Sequence, residues 1–263
     1  MKALILAAGE GQRLRPLTLD RPKPMVSVAG KPVLEHLISW LRGYGIQEIA
    51  INLHHCPDVI PGYFGDGAPW DVRLTYSYEP TILGSAGAIK ELEPFFSDTF
   101  LVIYGDVLTD MNLADLVSFH REALWEGPAP LVSLALYEVD NPTECGIVDL
   151  DERRRIRRIV EKPASHEVFG NLANAGICVM EPAVMGQIKA GRFADIARDL
   201  LPTLLKRNRL IRGYLIDPET YLVDIGIPER YVQAQRDWPA HLARCPQASR
   251  RIVACSLQEP QSV

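Results

Sequence analysis

The sequence predicts an α/β fold with a parallel core to its sheet, and three neighbouring stretches carry that expectation. Residues 2–8, KALILAA, form a nearly unbroken apolar run stopped by Gly9, the pattern of a strand buried on both faces. Lys31 to Tyr44 (KPVLEHLISWLRGY) sets Val33, Leu34, Leu37, Ile38 and Leu41 at helical spacing, and Gly43 and Gly45 close it. EIAINL at 48–53 reads as the next strand. Strand, helix and strand then make one right-handed crossover, with the first loop at the carboxyl edge, where α/β sheets bind ligands.

That first loop has the composition of a phosphate-binding turn. Gly9 and Gly11 lack a Cβ, so the backbone can adopt positive φ and converge its N–H groups on an anion. Arg13 and Arg15 add permanent charge, and Pro16, Pro22 and Pro24 hold Arg21 and Lys23 at a defined distance from the turn. The pre-organised charge suits a triphosphate. Two better-known phosphate loops are excluded: Leu14 stands where a dinucleotide fingerprint needs its third glycine, and no Gly-Lys-Ser/Thr closes the turn.

Composition narrows the partners. A length of 263 residues with 47% hydrophobic and 23% charged residues allows one large domain or a domain with an appendage. The net charge of -5 and pI near 5.7 exclude nucleic-acid and membrane-surface binding, both of which need a basic excess. Five scattered cysteines without a Cys-x-x-Cys pair imply reduced thiols and a cytoplasmic setting. The chain opens directly on a strand and holds no apolar run of about twenty residues, so neither secretion nor a membrane anchor is expected.

Further along, VRLTYSY at 72–78 alternates as a strand and leads through Glu79-Pro80 to LGSAGAIKEL, where Gly84 and Gly87 open a helix and leave room for a flat ring. FLVIY at 100–104 is a buried strand ending in Gly105-Asp106, which puts a carboxylate at the phosphate-loop edge. A helix over 111–125 and a strand over 130–138 extend the sheet. His54, His55 and Cys56 are adjacent on an extended segment and point opposite ways, a poor metal set. Arginines 153, 154, 155, 157 and 158 alternate with Ile156 and Ile159 as the solvated face of a hairpin. Residues 194–206 read as a helix interrupted by Pro202, Ile211 to Ile216 as a strand, and 228–236 as a helix begun by Pro228. The stretch from Trp238 onward has no period and carries Pro239, Pro246 and Pro260, so the division expected is a catalytic domain over 1–236 and a C-terminal appendage over 237–263.

Taken whole, LAAGEGQRLRPLTLDRPKPM resembles the signature of the sugar-1-phosphate nucleotidylyltransferases. LGSAG, Gly105-Asp106, CGIV with IVEKP, NAGICVM and YLVDIGIP resemble that family's later motifs in the same order. The resemblance implies a Rossmann-like three-layer sandwich with a mixed, mostly parallel sheet, acting on a nucleoside triphosphate and a sugar-1-phosphate. It implies nucleotide contacts from Leu6, Ala8, Gly9, Gly11, Glu79, Gly84, Ser85 and Gly87, with Arg13 on the leaving pyrophosphate and Lys23 near the α-phosphate. Sugar contacts fall to Gly146, Glu161 and Asn174, and Lys162 would bind the sugar phosphate. Asp106 and Asp224 would share a Mg²⁺ ion. Two departures stand out: Gln12 replaces the usual threonine, and Cys178 replaces an aromatic expected on a pocket wall. A carboxylate at Glu79 can accept from both N1–H and N2–H₂ of guanine, which favours GTP, with mannose-1-phosphate as partner. The alternatives are dTTP or UTP with glucose-1-phosphate or another hexose or heptose phosphate, or a catalytically silent nucleotide-sugar-binding regulator. Assembly into a homo-oligomer is left open, and with no hexapeptide repeat in this sequence an appended acyltransferase domain is not expected.

Overall fold

The computed structural model describes residues 1–125 and 129–244. The first strand, β1 (Lys2–Leu6), is followed by a small antiparallel ribbon of β2 (Ser27–Val28) and β3 (Lys31–Pro32) that feeds α1 (Val33–Gly43). Next come β4 (Glu48–Leu53), α2 (Val59–Phe64), β5 (Arg73–Tyr78), α3 (Gly84–Glu91) and β6 (Phe100–Tyr104). A three-residue strand, β7 (Val107–Thr109), precedes α4 (Leu113–Trp125) and β8 (Val132–Glu138). The second half continues with β9 (Gly146–Leu150), β10 (Ile156–Glu161), β11 (Leu172–Met180), α5 (Leu201–Lys206), β12 (Ile211–Leu215), β13 (Leu222–Asp224) and α6 (Pro228–Arg244).

Nine strands form the central sheet, along the path β10-β9-β11-β6-β1-β4-β5, with β8 and β12 added on β11. β1 lies between β4 and β6, parallel to both, with Ile5 opposite Ile51 and Ile103. Within the sheet only β10 and β11 run against the common direction, which makes it mixed but mostly parallel. Because side chains alternate across a strand, Ala3 and Ile5 face one way with α1, α2 and α4, while Leu4 faces the other with α3 and α5. Three layers result. On α1 the five apolar positions read from the spacing, Val33, Leu34, Leu37, Ile38 and Leu41, are all buried, each contributing about 1.5–3 kcal/mol of transfer free energy.

The second half differs from the sequence reading in two places. The helix expected from residue 194 starts instead at Ile196 as a wide turn, with Leu200 N donating to Asp195 O, and becomes α-helical only at Leu201. Pro202 has no N–H to give to residue 198, and the wider turn absorbs that loss. The last helix runs past Arg236 to Arg244 and seats Trp238 at 4% exposure in a third apolar cluster with Leu14, Val28, Leu108 and Ile225. The polar face that hid this helix from a periodicity reading is the face turned to solvent. The remainder of the expected appendage, residues 245–263, lies outside the described residues. None of the helices described is long and apolar enough to cross a membrane.

Candidate active site

The glycine turn after β1 is built by local hydrogen bonds. Gly11 takes φ +62°, its carbonyl accepts from Leu14 N at 2.9 Å and from the Thr18 hydroxyl at 2.8 Å, and a Cβ there would lie 2.9 Å from Thr18 Cγ2. Gly9, expected to share this conformation, is outside the left-handed region and open on its side-chain face. Of the four cations in the loop, two turn inward: Arg13 and Lys23 line a cavity of about 340 Å³. Arg15 and Arg21 pair at the surface with Glu10 and Asp20. Gly105 explains how Lys23 gets there, since a Cβ at that glycine would sit 2.8 Å from Pro24 Cγ and push the Pro-Lys-Pro corner off the end of β6.

A second ribbon, outside the main sheet, brings two distant carboxylates together. β13 pairs antiparallel with β7, Asp224 opposite Val107, and Ile225 N donates to Asp106 O at 2.9 Å. Asp224 Oδ1, Asp106 Oδ2 and Arg13 Nη2 all converge beside Gly226: a Cβ on that glycine would meet them at 2.7, 3.7 and 3.3 Å. Two carboxylates around a space kept clear by a glycine form an oxygen-donor cradle of the kind Mg²⁺ uses when phosphates and water complete its shell. Among the described residues no group of three or more His, Cys, Asp or Glu side chains could hold a metal. His54 Nδ1 is bonded to Glu79 O and His55 Nε2 to Thr18 O, so the two histidines brace loops.

Across the cavity stand β9, β10 and β11. Gly146 faces Glu161, whose Oε2 would lie 2.5 Å from a Cβ, so a side chain there would displace the Glu161 carboxylate. Burial raises the Glu161 carboxyl above its usual range, partly offset by the neighbouring Lys162. Lys162 holds φ +51°, a strained conformation for a lysine, fixed by its N–H to Cys145 O at 3.0 Å. A bulge in β11 between Asn174 and Cys178, with Gly176 at φ +74° against the Tyr104 ring, aims Asn174 into the cavity. Cys178 itself is in the apolar core, its thiol against Val102 O and pushed up to about 12 by burial. It forms no wall of the cavity.

The expected nucleotide segment has a different neighbourhood. Gly84, at φ +73°, and Gly87 do permit a close approach, but by the backbone of residues 192–194: Ala194 O accepts from Ala86 N and Gly87 N. Ser85 donates to Asp195 Oδ2 at 2.8 Å and accepts from Ile196 N at 2.7 Å, tying the segment to the start of the wide turn. Glu79 is 1% exposed. Its Oε1 accepts from Asn52 Nδ2 at 2.8 Å and Oε2 from Leu83 N at 2.8 Å, while Asn52 Oδ1 accepts from Ala7 N at 2.7 Å. This corrects the expectation that Glu79 stands open to guanine: it and Asn52 instead bind the phosphate turn to the start of α3. Replacing Asn52 by alanine should leave a buried carboxylate oxygen unpaired and destabilise the fold by about 1–3 kcal/mol, read from denaturant midpoints. A variant as stable as the native chain would show the relay to be dispensable.

Tyr104, Asp195, Arg198 and Arg230 also line the cavity and were not singled out from sequence. No spacing signal marks them, because they reach the site from β6, from the wide turn capped by Asp195 and from α6. Burial raises the Tyr104 hydroxyl well above its usual range, so it is a neutral donor.

Over 248 residues the chain is 37% identical to the UTP–glucose-1-phosphate uridylyltransferase of Synechocystis sp., covering 90% of this chain and 63% of that protein. It is 35% identical over 249 residues to the mannose-1-phosphate guanylyltransferase of Mycobacterium tuberculosis, covering 93% and 66%. It therefore spans just under two thirds of the length of these relatives. HddC from Yersinia pseudotuberculosis, solved in complex with GMP-PN, superposes with a TM-score of 0.74 at 28% identity, over 90% of this chain and 99% of that one. Residues 2–240 match the family described as nucleotidyl transferase, and the chain belongs to that family.

Proposed function

We propose that the protein transfers a nucleotidyl group from a nucleoside triphosphate to a sugar-1-phosphate, giving a nucleoside-diphosphate sugar and pyrophosphate. The observation that carries this reading is the convergence of Arg13, Lys23, Asp106 and Asp224 on one wall of a cavity whose other wall carries Glu161, Lys162 and Asn174. A phosphate oxygen of the sugar-1-phosphate attacks the α-phosphorus, the bond from that phosphorus to the bridging oxygen of the β-phosphate breaks, and pyrophosphate leaves with the electron pair. The nucleophile is already an anion, so no base is needed and the raised carboxyl of Glu161 is free to accept from sugar hydroxyls. Lys162 holds the attacking phosphate, Lys23 faces the α-phosphate and Arg13 the departing one; catalysis is positioning and charge neutralisation. Asp106 and Asp224 would hold Mg²⁺, which supplies further neutralisation of the phosphates when bound. A cytoplasmic setting accords with this chemistry and with Cys56, Cys145 and Cys178 being unpaired.

For the substrates, GTP with mannose-1-phosphate is the reading we favour. Its support is the guanylyltransferase name borne by the Mycobacterium tuberculosis relative and by several eukaryotic ones, together with the guanine nucleotide in the HddC complex. UTP with glucose-1-phosphate is the second reading, favoured by the Synechocystis relative. Pyrophosphate release with GTP, UTP, dTTP, ATP and CTP, each paired with mannose-1-phosphate and glucose-1-phosphate, separates them. GTP with mannose-1-phosphate should give the highest kcat/KM; preference for a pyrimidine would overturn the choice of base, and no release with any pair would overturn the reaction. Tight binding of a nucleotide-sugar without turnover would turn the reading toward a regulatory binder.

A further inference from the structure

Both paired carboxylates already hold a cation. Lys23 Nζ is paired with Asp106 Oδ2 and Arg230 Nη1 with Asp224 Oδ2, while the other oxygen of Asp224 accepts from Gly226 N at 3.1 Å. Lys23 and Arg230 therefore neutralise the two carboxylates, and Arg13 adds a further positive charge on this wall of the cavity. A divalent cation at Asp224 would compete with Arg230 for the same carboxylate and repel its guanidinium, which would weaken the pair. Arg230 has another place to go. It projects from the first turn of α6 into the cavity, its Nη2 is 3.6 Å from Glu144 Oε2, and Glu144 and Cys145 lead directly into Gly146 opposite Glu161 and Lys162. A side chain at that position stands between the carboxylate pair and the sugar side.

We propose that Arg230 is a substrate-binding residue: it neutralises Asp224 while the metal is absent and turns to the phosphate of the sugar-1-phosphate once Asp224 takes the metal. The proposal rests on the nucleotidyl-transfer reading given above. A guanidinium suits the task because its planar fork can grip two phosphate oxygens and exchange a carboxylate for a phosphate with little change of geometry. Charge bookkeeping points the same way. When Mg²⁺ replaces Lys23 and Arg230 on the two aspartates, both cations are released into the space where the two substrates bring their phosphates, so each incoming anion meets a cation that was previously paired.

The test compares the full chain with Arg230→Met and Arg230→Lys, all checked for native melting. Mn²⁺ binding without substrates is followed by electron paramagnetic resonance, and pyrophosphate release gives the Michaelis constants. Arg230→Met should bind Mn²⁺ about tenfold more tightly, because its competitor is gone, and its KM for the sugar phosphate should rise about tenfold while that for the triphosphate stays near native. Arg230→Lys, which keeps the charge but not the fork, should fall between. Unchanged Mn²⁺ affinity, an unmoved sugar-phosphate KM, or an equal rise in both Michaelis constants would overturn the proposal. Failure of the reaction reading shows separately, as native protein that releases no pyrophosphate with any substrate pair, and the Mn²⁺ comparison still decides the competition at Asp224.

Discussion

Replacing Gly226 by alanine should leave the fold intact and slow turnover at least about a hundredfold, the penalty of displacing a positioned group by roughly 1 Å. The backbone at Gly226 is outside the left-handed region, so alanine brings no conformational strain. Its methyl group, however, would lie 2.7 Å from Asp224 Oδ1, below contact distance, and 3.3 Å from Arg13 Nη2. The carboxylate or the guanidinium has to move, and both belong to the wall on which we place the phosphates. Steady-state pyrophosphate release alongside a thermal melt checks this. Near-native turnover would mean that the space beside Gly226 plays no part in the reaction.

The second large effect concerns stability. Trp238→Ala should cost about 3–5 kcal/mol, the usual range for truncating a buried large aromatic. Trp238 stacks on His241 with centroids 5.5 Å apart, meets His36 edge-on at 5.6 Å and donates its indole N–H to His36 Nδ1 at 3.3 Å. Tyr221 lies against it at 5.0 Å and leads into β13, so the ribbon carrying Asp224 leans on this residue. Urea midpoints with unchanged slope would measure the loss. If residues from 237 onward were only an appendage, the same substitution would leave the midpoint where it is.

Much of the scaffold was legible in the sequence because burial imposes a period. The apolar runs of β1, β4 and β6 and the five core positions of α1 repeat at spacings that only a strand or a helix satisfies. The glycine turn was legible in part: its two glycines signal a special backbone, but only the contacts of Thr18 and Lys23 with Gly11 decide which one bends. What could not be read were pairings over long separations. Glu79 looks like an exposed acceptor until Asn52, 27 residues earlier, claims its carboxylate. Ser85 looks like a helix cap, yet its partner Asp195 is 110 residues away. Trp238 sits beside Pro239 in a polar stretch, where local propensity argues for a break; packing against Tyr221 and His36 overrides it. Arg230 carries no motif at all, and only the cavity identifies it.

The β7–β13 ribbon has one further consequence, for the growing chain. Asp106 and Asp224 are far apart in the sequence, and the pairing of these two short strands brings them together. Synthesis runs from the N-terminus, so the glycine turn, β1, β4 and β6 can pack before residues 222–224 have been made. An incomplete chain of that kind would present Arg13 and Lys23 with a single aspartate and an unclosed wall. The proposed metal site is therefore expected to be complete only once residues 222–224 have been made and have paired with β7.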